Sequence, residues 1–77
     1  MGMRKQSVID TIMNYENHID TDEALNRIDN ALKEANLDYN NIITIFTYHR
    51  PDEKVIEFSI LTSPTKNVKI KCPIKNV

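Results

Sequence analysis

The segment 41–49 (NIITIFTYH) near the middle of the chain has the composition of a β-strand but carries large apolar side chains on both faces. Ile42, Phe46 and Tyr48 fall on one face, and Ile43 and Ile45 fall on the other, because side chains alternate across a strand. One layer of helices covers only one face, and a chain of 77 residues has little material for a second layer. We therefore expect the other face to contact something outside the monomer.

The length of the chain predicts one domain over residues 1–77, with residues 1–6 as a flexible start. Domains of this size have a barely sufficient core and often add a disulfide, a metal or self-association. Cys72 is the only cysteine, which excludes an internal disulfide, and one Cys with two His argues against a zinc site. Self-association as a homodimer is the remaining way to add stability to the small core. A single thiol is also typical of a reducing, cytoplasmic location.

Two helices are predicted in the first half of the chain. Ser7 is the expected N-cap of the first helix, and Asp20 or Thr21 is the expected N-cap of the second. The second helix carries a narrow apolar seam of leucine, isoleucine and alanine at helical spacing. Asn36 is placed to end it in a left-handed conformation, after which Leu37 would fold back on the last turn as in a Schellman cap.

Three strands are predicted in the second half. The first lies within 41–49, the second runs from Val55 to Thr62, and the third runs from Val68 to about Ile74. Turn residues separate them, and no linker or repeat interrupts the order. The sequence therefore predicts an α+β domain in which two N-terminal helices pack on one face of a three-stranded antiparallel meander, ααβββ in two layers.

The apolar pattern also predicts how the strands pair. Phe46 placed opposite Phe58 puts Tyr48 opposite Ile56, so that Ile42, Phe46 and Tyr48 all face the helices. A slip of one residue would exchange the faces of the first strand, which makes this register testable. The opposite face is then predicted to collect Ile43, Ile45, Val55 and Leu61, surrounded by Thr47, Glu57, Ser59, Lys69 and Lys71.

Residue usage argues against several kinds of site. Gly2 is the only glycine, whereas phosphate-binding loops need glycine for close approach of the backbone, so P-loop and dinucleotide-binding motifs are absent. No nucleophile–histidine constellation has support in the sequence, and we expect no catalytic residues, no cofactor and no enzymatic activity. His18 stands near Asp20, Asp22 and Glu23, but helix capping accounts for these carboxylates, and no metal site is predicted.

Composition gives two further expectations. Apolar residues stand singly or in pairs, so neither a transmembrane span nor a signal-peptide core is expected, and no membrane partner is predicted. Isoleucine, asparagine and lysine are abundant, which is typical of AT-rich coding sequence and indicates a low-GC bacterium or a phage of such a host.

The apolar strip on the outer face is the predicted functional surface. Large aliphatic side chains on neighbouring positions exceed the scattered hydrophobes of an ordinary surface and are typical of an interaction patch. We therefore predict a small non-catalytic module, a regulator or inhibitor, that binds an unidentified protein partner through Ile43, Ile45, Val55 and Leu61. The same face is expected to form a symmetric homodimer.

A small nucleic-acid-binding protein is the alternative prediction. Lys66, Lys69 and Lys71 form a stripe along the third strand, with His49 and Arg50 as further rim contacts. Residues 41–77 carry a net charge of +3 and residues 1–40 carry −4, so the strand half is the basic one. Protein binding is preferred because the stripe lacks exposed aromatics for base stacking and lysines also protect sheet edges. A third alternative is a protein that sequesters a small ligand between protomers.

Overall fold

The structure, a computed structural model, describes residues 2–75 and contains two helices followed by an antiparallel sheet of three strands in the order of the chain. The predicted class and element order are confirmed. Within residues 2–75, neither helix is long and apolar enough to cross a lipid bilayer. The elements are α1 (Lys5–Met13), α2 (Thr21–Glu34), a 3₁₀ turn (Tyr39–Asn41), β1 (Thr44–Arg50), β2 (Val55–Ser63) and β3 (Lys66–Pro73).

Helix α1 begins earlier than the sequence predicted. Its first residue is Lys5 and its N-cap is Arg4, which makes no side-chain capping bond, so the prediction of Ser7 as the cap is wrong. The predicted apolar stripe still orients the helix, because Val8 and Ile12 are buried in the core. Burial of this stripe therefore holds α1 in place without a side-chain cap.

The residues before α1 lie against the rest of the fold. Residues 1–6 were expected to form a flexible start, but the amide of Met3 donates to the carbonyl of Ile42 at 3.0 Å. A Cβ on Gly2 would overlap a neighbouring backbone carbonyl, so a glycine is needed for this close approach. Met1 lies outside the described residues.

Both ends of α2 agree with the sequence prediction. The carboxylate of Asp20 accepts from the amide of Glu23 at 3.1 Å and caps the first turn. At the other end, Asn36 has a φ of 58°, in the left-handed region. The amide of Leu37 donates to the carbonyl of Leu32 at 2.8 Å, which is the long bond of a Schellman cap.

The core lies between the helices and one face of the sheet, which we call the inner face. Both helices contribute to a single apolar cluster with the inner side chains of β2 and β3, so the molecule has two layers. Cys72 lies in this cluster, as predicted, and burial raises the pKa of its thiol. The buried apolar residues are Val8, Ile12, Ile19, Ala24, Ile28, Leu32, Ile42, Ile56, Phe58, Ile60, Ile70 and Cys72.

The predicted register of β1 is wrong by one residue. Thr47, and not Phe46, lies opposite Phe58, and Phe46 lies opposite Ser59. Phe46 and Tyr48 therefore point away from the helices, contrary to the prediction that they belong to the core. The faces predicted for β2 and β3 are confirmed, since β3 continues the inner face in the predicted residues.

A bulge at the start of β1 accounts for the difference. The amide of Ile43 donates to the carbonyl of Leu61 at 2.7 Å, as the predicted register requires, but Thr44 is also the partner of Leu61. Two residues thus oppose one, which shifts the alternation by one position along the rest of the strand. Ile42 stays buried before the bulge, while Ile45 moves from the predicted outer face to the inner face.

The turn between β1 and β2 fixes the register from the other side. Arg50 pairs with Val55 across a loop that includes Lys54, a residue with a φ of 57°. A left-handed conformation at a lysine extends the turn by one residue beyond the Arg50–Glu53 segment that the sequence indicated. The longer turn and the bulge therefore act together, since hairpin register depends on loop length.

Candidate functional site

The face of the sheet that points away from the helices, which we call the outer face, is the candidate functional site. Its cross-strand neighbours follow from the register, and no helix packs on it because both helices contribute to the core on the other side. The outer face consists of Ile43, Thr44, Phe46, Tyr48 and Arg50 from the β1 side, Val55, Glu57, Ser59 and Leu61 from β2, and Asn67, Lys69, Lys71 and Pro73 from β3.

The β1 side of the outer face is apolar and exposed. Ile43 and Phe46 are each 51% exposed and Tyr48 is 45% exposed, which is unusual for side chains of this size. Leu61, directly across from Thr44, extends the apolar surface onto β2. The result is a patch with two aromatic side chains at alternate positions of one edge strand.

The predicted interface residues are only partly brought together. Ile43, Val55 and Leu61 lie on the outer face, as expected. Ile45 lies on the inner face and packs against the core, so its predicted position on the outer face is wrong. Phe46 replaces it, and this residue was missed because alternation through the bulge assigns the wrong face.

A network of charged side chains covers the other half of the outer face. The guanidinium of Arg50 donates to both carboxylate oxygens of Glu57, at 3.1 and 3.2 Å, and lies 5.4 Å from the ring centre of Tyr48. The ammonium of Lys71 is 2.6 Å from Oε1 of Glu53, and the other carboxylate oxygen, Oε2, lies 3.9 Å from Nε of Arg50. These contacts hold the side chains beside the aromatic patch in fixed positions.

Glu57 is a carboxylate at the centre of this network. It is only 3% exposed, and the guanidinium of Arg50 lies against its carboxylate. Hydrogen bonds from Arg50 lower the pKa of Glu57, and its partial desolvation opposes them without reversing the direction. The same pair raises the pKa of the Arg50 guanidinium, so the ion pair is formed at neutral pH.

The lysines of the predicted basic stripe differ in their surroundings. Lys69 and Lys71 lie on the outer face, as predicted, and Lys66 pairs with Ser63 at the end of the β2–β3 hairpin. Lys71 is neutralised by Glu53, whereas Lys69 has no carboxylate within 4.0 Å among residues 2–75. Lys66 likewise has no carboxylate within 4.0 Å among residues 2–75, so two of the three lysines of the stripe are available along the edge strand β3.

The two histidines meet on the other side of β1. His49 lies on the inner side, opposite Ile56, and its ring centre is 5.7 Å from that of His18. His49 is exposed at this corner of the molecule, but it does not border the outer face as the sequence indicated. In the part of the chain that the structure describes, no three His, Cys, Asp or Glu side chains converge as metal ligands would.

Two open grooves lie away from the outer face. One, of about 590 Å³, lies between the end of α2 and the β2–β3 hairpin and is bordered by Leu37, Val68 and Lys66. The other, of about 170 Å³, lies between the helices beside Ile9 and Leu25. The larger groove is lined mainly by polar residues of the hairpin, including Thr62, Thr65 and Asn67, and is open to solvent. Small-ligand sites are mostly apolar with a few polar groups, so the outer face remains the stronger candidate.

Comparison of the chain with protein-family models, curated protein sequences and solved structures gives no match.

Proposed function

We propose that this chain is a non-catalytic protein-interaction module that binds a partner protein through the outer face of its sheet. The observation that carries the proposal is the pair of exposed aromatics, Phe46 and Tyr48, on a sheet face that no helix covers. Aromatic side chains are enriched in the centres of protein interfaces because they bury large areas with few rotatable bonds. Ile43 and Leu61 extend the same apolar surface.

The charged half of the face supports this proposal. Arg50 lies between Tyr48 and Glu57, and these contacts restrict its side chain before any partner binds. Arginine is one of the residues that contribute most to interface energies, and a pre-ordered side chain loses little entropy on binding. A module of this kind acts by occupying a surface of its partner, as regulators and inhibitors do.

The proposed cellular location and source of this module are inferred from one thiol and from the residue composition. The buried free thiol of Cys72 is typical of a reducing cytoplasm, and we propose that location. The residue usage favours a phage or a low-GC bacterium as the source. Bacterial extracts are therefore the first place to look for the partner.

Affinity capture with matched variants tests the proposal. We expect immobilised wild-type chain to capture a protein that Phe46→Ala and Tyr48→Ala no longer hold. Each substitution at such an anchor should raise the Kd by about thirtyfold, since interface anchors contribute about 2 kcal/mol or more. Met13→Ala is the matched control, because Met13 is 41% exposed but lies on α1.

The affinities are then measured by calorimetry with the purified partner. A partner that binds Phe46→Ala and Tyr48→Ala as tightly as the wild type, and Met13→Ala more weakly, would assign the contact to the helical side. Circular dichroism of each variant verifies that the fold is retained.

One observation favours nucleic-acid binding as the second candidate. Exposed aromatics were expected to be missing beside the lysines, yet Phe46 and Tyr48 share the outer face with Lys69 and Lys71. Aromatic rings beside cationic side chains form the stacking platforms of single-strand binders. Against this candidate, the cations Arg50 and Lys71 are already paired with carboxylates, and the chain has a net charge of −1.

Titration of labelled single- and double-stranded DNA and RNA at low and high salt separates the two candidates. Salt-sensitive binding that is lost in the Lys69→Ala/Lys71→Ala variant would favour the nucleic-acid role, because phosphate contacts release counterions. The protein-interaction proposal expects no such binding at physiological salt.

A further inference from the structure

The two edges of the sheet differ in whether another strand has room to pair with them, and the β3 edge is closed over its C-terminal half. The guanidinium of Arg27 donates to the backbone carbonyl of Lys71 at 3.1 Å, and Pro73 has no amide hydrogen to offer. Beyond the strand, Ile74 forms a β-bridge with Ile19. Side chain, proline and bridge together obstruct the C-terminal half of this edge, so an added strand could not pair along its full length.

The β1 edge is open. Among residues 2–75, the backbone of 44–49 makes hydrogen bonds only with β2, so its other amides and carbonyls point away from the sheet. The strand holds no proline, lysine, aspartate or glutamate, and Arg50 stands at its end. Natural proteins usually protect such edges, because an exposed, apolar edge strand pairs readily with another strand.

We infer that the open edge pairs with β1 of a second copy of this chain, in antiparallel orientation, with Thr47 opposite the partner's Thr47. Thr47 is the central residue of Thr44–Arg50, so this register is the one in which all residues of the strand find a partner. A two-fold axis through the Thr47 pair makes the contact closed and self-complementary. The product is a sheet of six strands.

The side chains that this register brings together are compatible. Phe46 lies opposite the partner's Tyr48 on the outer face, and the symmetric pair repeats the contact, so that four aromatic rings adjoin. Aromatic cross-strand pairs stabilise antiparallel sheets. On the inner side Ile45 meets the partner's His49, and Thr44 meets the partner's Arg50 on the outer side, so no two like charges face each other across the contact.

This inference goes beyond the proposed function and does not depend on it. Self-association was expected to use the outer face itself, whereas the open edge leaves most of that face free. The two-fold axis stands perpendicular to the sheet, because antiparallel neighbours present the same face to the same side. The outer faces of both copies therefore form one continuous surface, and a partner protein would meet two aromatic patches side by side.

Sedimentation equilibrium tests the dimer. We expect a mass of about 18 kDa at high micromolar concentration, twice the 9.0 kDa of one chain. Tyr48→Lys should raise the dissociation constant of the dimer at least tenfold, because it removes both aromatic cross-strand pairs. Met13→Lys, an equally exposed site on α1, should leave the dissociation constant unchanged. A wild-type chain that stays at 9.0 kDa overturns the inference.

Disulfide trapping tests the register. Directly opposed residues have Cα atoms about 4.5–5.5 Å apart, within the range of a disulfide. Thr47→Cys should therefore cross-link with itself under mild oxidation. Phe46→Cys mixed with Tyr48→Cys should give the mixed dimer, whereas either alone should not, because the same residue in two copies is then offset along the strands by two positions.

The unsubstituted chain controls for Cys72, which is buried. A dimer by mass that Thr47→Cys and the Phe46→Cys/Tyr48→Cys mixture both fail to trap would place the contact elsewhere and overturn the inference. Capture of a partner protein by the outer face would be unaffected by that result, so failure of the dimer and failure of the proposed function are distinguishable.

Discussion

The carboxylate of Glu57 combines near-complete burial with a position on the face that no helix covers. Removing a charge from water is unfavourable, and Arg50 offsets this by donating to both oxygens. Arg50 also lies against the ring of Tyr48, so one side chain links the charged and aromatic halves of the outer face. Loss of Arg50 would leave the carboxylate of Glu57 covered and without this partner, whereas Arg50 itself is partly exposed.

This pair predicts a pH dependence of stability that belongs to Glu57. The folded protein holds the pKa of Glu57 below its ordinary value of 4.5, chiefly through the hydrogen bonds from Arg50. The stabilisation is therefore present above pH 4.5 and is lost as the pH falls through the lower, folded-state pKa. Glu57→Gln should flatten the acid limb of a plot of Tm against pH.

The pairing itself is tested by a second variant. Arg50→Gln should flatten the same acid limb, and the double variant should add little, because both changes remove one interaction. Thermal unfolding followed by circular dichroism across the acid range measures all three proteins. Acid limbs of the wild type and Glu57→Gln that superimpose would contradict the assignment.

At the level of elements, the sequence correctly predicted both ends of α2 and the faces of β2 and β3. The cap at Asp20, the left-handed Asn36 and the return of Leu37 were all readable, because each depends on residues within one or two turns of helix. The faces of β2 and β3 were readable too, since unbroken alternation marks them. These elements therefore needed no tertiary information.

The sequence did not predict which side chains of β1 face the helices, because a turn residue and a bulge determine this and not the apolar alternation alone. Lys54 adopts a left-handed conformation although its side chain does not favour one, and the bulge adds a second residue opposite Leu61. Neither leaves a signal in a strand that is apolar on both faces. The outer faces of β2 and β3 were thus correctly predicted, but the residues of β1 from Thr44 onward were assigned to the wrong face.

The hydrogen bond between the 3₁₀ turn and α2 predicts a pH dependence of stability on the alkaline side. The hydroxyl of Tyr39 donates to a carboxylate oxygen of Asp29 at 3.2 Å, and burial, followed by the charge of Asp29, raises the pKa of Tyr39 to about 12. A raised pKa means that the stabilisation is fully present below pH 10 and is lost as the pH rises through about 12.

Tyr39→Phe should therefore remove part of the loss of stability on the alkaline side, measured as the Tm between pH 10 and about 12. Asp29→Asn should lower the pKa of Tyr39 only in part, because burial is the larger cause. Titration of the phenolate absorbance, compared between the wild type and Tyr39→Phe, isolates this hydroxyl. If the Tm of the wild type and that of Tyr39→Phe fall equally with pH above 10, the hydroxyl of Tyr39 does not contribute to alkaline unfolding as proposed.

The whole molecule depends on one small core. A domain of this length has a free energy of unfolding of about 4–12 kcal/mol, so one core substitution removes a large share of it. Ile28 on α2 is fully buried, and Ile28→Ala should lower the free energy of unfolding by about 2–5 kcal/mol. Urea denaturation at fixed protein concentration measures this value, since a dimer makes stability depend on concentration.

Ile43→Ala is the matched control, because the same change is made at a site that is 51% exposed on the outer face. It should change the free energy of unfolding by about 0.5 kcal/mol or less. A large loss at Ile43 would mean that this side chain is buried in solution and that the outer face is already occupied in the free protein.

The closed β3 edge has a consequence for how many copies an assembly of this chain contains. In the language of polymer chemistry, a molecule with one reactive end is monofunctional, and joining two of them ends the reaction. Arg27 and Pro73 act as chain stoppers of this kind, since they block the second end of the sheet. A variant without them would keep only the bridge of Ile74 to Ile19 at this edge. Its second edge would be more open to pairing, which favours repeated addition of sheets over a closed pair.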